Sequence, residues 1–298
     1  MIANEVILQI GKTRVKFLCA SKYWTGLIRK NYSYFLVKNS NQNTFTVTLH
    51  SLTAGHEAIS GQVTVTERNG GYGISRNDFL SVSDKKYRDM VLFCSENRYS
   101  FDSWLRIFLT LIGINGSFVL AHSSGLRLGN SAYLFPGVSG RGKSTITRIF
   151  GKKNALSDEV VLIARGKAGI SAYSTPFWGE LKKGAARNFG CKLKGLYFIR
   201  HGDRLKAEKI TAGQALQKLL ASALFFSKKK NSISKLLSTA AAIAKSVPAY
   251  ELSFSKKTKK EELFKLLKPG TCIRFAEPKR KSANYFHKNN SEHTLCGM

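Results

Sequence analysis

The chain has 298 residues, enough for one large domain or two smaller ones with a buried core. A composition of 43% hydrophobic and 22% charged residues argues against intrinsic disorder, and five scattered cysteines with no C-x-x-C pair argue against a zinc site or a disulfide framework. The charge is unusual: 48 Lys and Arg stand against 18 Asp and Glu, a net of +30, and residues 181–298 alone hold 26 basic against 7 acidic side chains. Such a field attracts phosphates, nucleic acid, anionic lipid or acidic protein surfaces, although lysines scattered over exposed helix faces give the same count.

Residues 1–98 read as a small β-rich lobe. Val6–Ile10, Val15–Cys19, Phe45–Leu49 and Gln62–Thr66 alternate or cluster β-branched and aromatic residues, with Asn39–Asn43 and Asn69–Gly71 as turns between them. Over 99–272 the pattern becomes α/β. Phe101–Ile112 reads as a helix with Asp102 or Ser103 available as N-cap. Phe118–Ala121 and Tyr133–Phe135 are short buried strands flanking a Gly125–Asn130 turn, and Ser144–Phe150 opens a helix after a glycine loop. Val160–Ala164, Leu196–Arg200 and Leu205–Ile210 are further strands, and two helices follow at about 212–226 and 232–245. Tyr250–Phe254 is the last strand. Thr258 and Glu261 have capping-box spacing before a helix that ends near Leu267, where Pro269-Gly270 stops it. Residues 273–298 are polar and basic without apolar period, the pattern of a disordered tail.

The N-terminal MIANEVILQI lacks the basic and long apolar regions of a signal peptide. The most apolar stretch, Trp104–Ala121, contains Arg106 and is broken by Gly113 to Gly116, so no membrane span is expected. Together with the cysteine spacing, this points to the cytoplasm.

Gly137-Val138-Ser139-Gly140-Arg141-Gly142-Lys143-Ser144 satisfies the full G-x-x-x-x-G-K-[ST] pattern, between an apolar strand and a helical run. Glycines let the backbone curl so that successive N–H groups face the α- and β-phosphates, and the helix N-terminus adds partial positive charge. The binding set is therefore Gly137 through Ser144 with Thr145. Lys143 is placed for the β/γ-phosphates, and the Ser144 hydroxyl for Mg²⁺. The metal also needs a carboxylate. Asp158 and Glu159 stand together at the mouth of an apolar strand about one helix beyond the loop, one suited to the metal and the other to the proton of an attacking hydroxyl.

On these residues the stretch Val119–Leu162 resembles the core of the HPr kinase/phosphorylase family, and still more the related proteins found beside peptide-modification systems. His122 precedes Gly137 by fifteen residues, the interval those kinases keep between a functional histidine and the P-loop. Asp158-Glu159 stands where that family has Asp-Asp. Thr175-Pro-Phe-Trp-Gly-Glu180 and Pro248-Ala-Tyr-Glu-Leu252 are similar to segments of the related group. The resemblance, over about 100 to 270, implies a P-loop HPr kinase/PEP carboxykinase-like domain with a mixed twisted sheet. It implies Asp158 as the acid/base residue, His122 beside the reacting phosphates, and Lys143 on the transferred group. Ser144, Asp158 and Glu159 would hold the metal.

Two departures limit what carries over. Glu159 replaces an Asp, and the proline- and arginine-containing segment of true HPr kinases is missing, so neither their phosphorylase reaction nor HPr as substrate is implied. The leading expectation is a Mg-ATP-dependent kinase acting on a hydroxyl, a Ser of a protein or peptide. The alternative is an ATP-binding accessory or scaffold protein that transfers nothing. The expected partners are ATP, a protein or peptide substrate and a homo-oligomeric copy. Nucleic acid is not expected, because no glycine-aromatic RNA motif or zinc-finger spacing accompanies the basic charge.

Overall fold

Alternating apolar residues and glycine-bearing turns set up the first sheet. In the computed structural model, which describes residues 4–38, 44–52, 61–68, 71–137, 140, 142–181 and 187–268, eight strands pair: β1 (Asn4–Ile10), β2 (Thr13–Cys19), β3 (Leu36–Val37), β4 (Thr44–Ser51), β5 (Thr64–Arg68), β6 (Gly71–Arg76), β7 (Phe79–Asp84) and β8 (Asp89–Cys94). Their order is β3-β1-β2-β4-β8-β7-β6-β5. The β2–β4 and β4–β8 pairs are parallel, the others antiparallel. The expected strands lie here, but so does an unexpected helix, α1 (Lys22–Asn31), which buries Trp24 and Ile28 one turn apart.

Helix α2 (Arg98–Gly116) joins this sheet to a second one. It begins earlier than its apolar run suggests, because Asn97 is the N-cap and its side chain accepts from the Ser100 N–H at 2.8 Å. Asp102, one of the expected caps, lies inside the helix, accepts from the Tyr32 hydroxyl and pairs with Arg98. Trp104 stacks on Phe108 at 5.1 Å and donates through Nε1 to Ser81 Oγ at 3.0 Å.

The second sheet comprises β9 (Phe118–Leu128), β10 (Ser131–Pro136), β11 (Ala155–Ser157), β12 (Val160–Gly166), β13 (Gly169–Tyr173), β14 (Gly190–Arg200), β15 (Lys206–Lys209) and β16 (Ala249–Ser253). Strand β9 continues through Gly125 to Leu128, so the expected turn shrinks to Gly129-Asn130. The sheet closes on itself: β9 pairs with β10 and β12, β12 with β13, β13 with β14, and β14 runs parallel to β10. From Leu196 onward β14 also pairs in parallel with β16. The carboxyl ends of β10, β14 and β16 therefore point the same way.

Four helices complete the second sheet: α3 (Lys143–Phe150), α4 (Ala212–Ser222), α5 (Lys230–Ser246) and α6 (Lys260–Leu267). The last is capped differently from the expected Thr258–Glu261 pairing: Glu262 accepts from the Lys259 N–H at 2.8 Å, while Thr258 Oγ1 accepts from the Ser255 N–H. The described residues form an α/β protein with mixed sheets and six helices, none of them long and apolar enough to cross a membrane. Cys19, Cys94 and Cys191 are buried and free. The turn at Asn39–Asn43, Asn69 and Gly70 of the second turn, the Pro269-Gly270 stop and the 273–298 tail lie outside the described residues.

Candidate functional site

The carboxyl end of β10 runs into the glycine loop, and its first step is fixed by β9: the Gly137 N–H donates to the His122 carbonyl at 3.0 Å. Gly140 and Gly142 have φ of 82° and 87°, a left-handed region that costs other residues strain. Gly142 is the N-cap of α3, and the Ile146 N–H donates back to its carbonyl. Ser124 Oγ and Thr147 Oγ1 both donate to the Lys143 carbonyl, tying the first turn of α3 to β9. Val138, Ser139 and Arg141 lie outside the described residues.

The register of β9 against β12 brings the histidine to the acidic pair. His122 faces Val160, and the Ser123 N–H donates to the Glu159 carbonyl at 3.0 Å. His122, Gly140, Gly142, Lys143, Ser144, Thr145, Asp158 and Glu159 thus line one cleft of about 940 Å³. Its far wall comes from the ends of β14 and β16, with His201, Asp203, Phe254 and Lys256. Among the described residues four basic and four acidic side chains line it, a mixture suited to an anion accompanied by a cation.

Both carboxylates are held. Asp158 is buried, and its two oxygens accept from the Gly179 N–H at 2.9 Å and the Leu181 N–H at 2.8 Å. Those donors belong to the segment that begins Thr175-Pro-Phe-Trp-Gly-Glu180. It is docked further by Thr175 Oγ1 donating to the Val160 carbonyl and Ser157 Oγ donating to the Phe177 carbonyl. Glu180 turns outward to pair with Arg148. Glu159 accepts both prongs of the Arg106 guanidinium, at 2.7 and 3.1 Å, and Arg106 lies over the Phe177 ring at 4.8 Å.

Burial shifts the two bases of the site. The Lys143 ammonium is pushed below its ordinary pKa by burial, which the Glu159 charge partly offsets. The His122 ring opens on the cleft, yet desolvation by the cleft walls lowers its pKa. Glu159 opposes that shift, while Arg106 and Lys143 reinforce it. An anion entering the cleft would raise both values.

Magnesium typically takes one or two carboxylates and leaves the remaining positions to phosphates and water. Ser144 and Asp158 both line the cleft and have the donor types for such a site, whereas Glu159 is committed to Arg106. The described residues hold no group of three or more His, Cys, Asp or Glu side chains able to hold a metal by themselves. Arg106 escapes a sequence reading because it sits 53 residues before Glu159 on a helix that reads as core. Arg148, at the exposed end of α3, is likewise assigned only by its partner Glu180. No family model matches the chain, and no curated protein matches it.

Proposed function

We propose that the chain is a Mg-ATP-dependent kinase of the HPr kinase-like P-loop class, transferring the γ-phosphoryl group to a hydroxyl, a Ser of a protein or peptide. One observation carries this reading: the glycine loop, Lys143, Ser144 and Asp158 line one cleft at the carboxyl ends of parallel strands. The N–H groups at the start of α3 and the Lys143 ammonium would cradle the phosphates. Mg²⁺, held by Ser144 and Asp158, would supply charge neutralisation on the phosphate oxygens. Each Asp158 oxygen accepts one amide N–H and keeps a second acceptor direction, so the carboxylate can take a hydroxyl proton without leaving its place. His122, which lines the same cleft, would stand beside the reacting phosphates. Glu159 would join the metal only by giving up Arg106.

A second reading has its own observation. Asp158 and Glu159 each accept two hydrogen bonds from protein donors, which suits an accessory protein that binds ATP for conformation alone. Intact-mass analysis separates the two. Small proteins encoded near this gene would be incubated with the chain and Mg-ATP, and a gain of one phosphate is expected on one of them. Asp158→Asn should lower that transfer by roughly 10²–10⁴, the range for losing a positioned general base. It should also loosen the 179–181 segment, since an amide NH₂ then faces one of two backbone donors. Thermal stabilisation by ATP with no phosphate on any hydroxyl would favour the accessory reading.

A further inference from the structure

A second cavity, of about 890 Å³, lies where the two sheets meet, away from the glycine loop. It is formed by the β1–β2 turn, the β7–β8 turn, the last turns of α2 and the β12–β13 hairpin. Both cavities touch the β9–β12 pair, at opposite ends: His122 lines the first and Phe118 the second. The two residues are four positions apart along the strand, about 13 Å at the usual rise.

Its lining is one-signed. Lys12, Lys85, Lys86, Arg88, Arg165 and Lys167 line it, and no Asp or Glu among the described residues does. None of the six is in an ion pair among the described residues. The nearest acid in the β7–β8 turn, Asp84, spends Oδ1 on the Arg88 and Asp89 backbone N–H groups. Arg88 lies over the Phe45 ring at 5.1 Å, and its Nη1 is buried with no acceptor among the described residues. Buried polar atoms are rarely left unpaired without a reason. Below the cations the floor is apolar, from Phe45, Phe118, Leu162 and Tyr173.

We propose that this cavity is a second ligand site, which takes a small phosphorylated molecule with an aromatic or apolar body. Six like charges around one volume repel one another until an anion enters. Two guanidinium groups offer the forked donors that match phosphate oxygens. The ring-lined floor gives the rest of the molecule apolar surface to cover. The volume falls in the range of small-molecule pockets, which favour such junctions between units. The assignment does not depend on what the glycine-loop cleft does.

Pyridoxal 5′-phosphate is a suitable probe, because its aldehyde condenses with a lysine Nζ, releasing water, and borohydride reduces the imine to a stable amine. After brief labelling of the full chain at a low probe ratio, peptide mapping reads each lysine separately, Lys143 included. Labelling is expected to concentrate on Lys85, Lys86 and Lys167 and to exceed that by pyridoxal, which lacks the phosphate, by about tenfold, the loss of one charge-assisted contact. Arg165→Gln, at an exposed position where folding is not at stake, should lower the labelling by a similar factor. Phenyl phosphate should compete better than inorganic phosphate. Equal labelling by pyridoxal, labelling spread over all exposed lysines, or an unchanged Arg165→Gln would overturn the site. Equal competition by inorganic phosphate would overturn the apolar body.

Discussion

His122 sits where two electrostatic demands meet, and that makes its titration informative. Desolvation disfavours the imidazolium, Arg106 and Lys143 add to that, and Glu159 opposes it, with a net lowering from the ordinary 6.5. The unfolded chain therefore takes up the proton first as pH falls. The contribution of this ring to stability is complete above about 6.5 and is lost as pH drops from there through the lower folded value. Thermal melts of wild type and His122→Asn from about pH 8 to 5 should diverge below that point, the wild type falling more steeply. Parallel curves would show that the ring is not desolvated. Much of this site was legible in the sequence, because the glycine loop, Lys143 and the acidic pair are local spacings with a chemical reason. Arg106 was not legible. Only the packing of α2 against β9, whose Ser123 N–H holds the Glu159 carbonyl, makes it the partner of Glu159.

Elements were legible where periodicity and burial agree, as in β1, β2, β12 and α3, and were missed where packing overrode them. Strand β7 reads Phe79-Leu-Ser-Val-Ser-Asp84, yet it buries Ser81 and Ser83 and exposes Leu80 and Val82. The reason is the indole of Trp104, which fills the space above the strand and uses Ser81 Oγ as its acceptor. Helix α1 was hidden among strands, although Trp24, Ile28 and Tyr32 repeat at the helical interval and are all buried. In the glycine loop the local rule is strict. Gly142 has φ of 87°, and a Cβ there would meet the Phe254 ring at 3.3 Å. Gly142→Ala should cost about 1–2 kcal/mol from the left-handed conformation alone, more if Phe254 does not yield. Denaturant melts measure the stability, and ATP titration of the same variant should show weakened binding through the tilted start of α3. A variant as stable as wild type would mean that the loop relaxes out of this conformation.

At the scale of the whole molecule, the largest apolar cluster ignores the division into two sheets. It runs from Val6, Phe17 and Val47 of the first sheet through Trp104 and Phe108 of α2 to Leu120, Val160 and Leu162 of the second. Sequence showed a change from β-rich to α/β near residue 98, but not that α2 would serve both halves, since a helix apolar on several sides only announces burial. Phe108 is fully buried at the centre of that cluster, stacked on Trp104 and edge-on to Phe45 at 5.7 Å. Deleting its ring removes apolar contact from helix and first sheet at once and leaves a cavity that rigid strands cannot close. Phe108→Ala should therefore cost about 3–5 kcal/mol. Because the helix is shared, that loss should move one cooperative transition rather than peel off the N-terminal sheet. The measurement is a pair of denaturant curves, one by tryptophan fluorescence, weighted to the buried Trp24 and Trp104, the other by far-ultraviolet dichroism over the whole chain. Coincident midpoints that shift together in Phe108→Ala are the expected result. If the fluorescence midpoint alone moves, the two halves fold as independent units, and α2 belongs to the first of them.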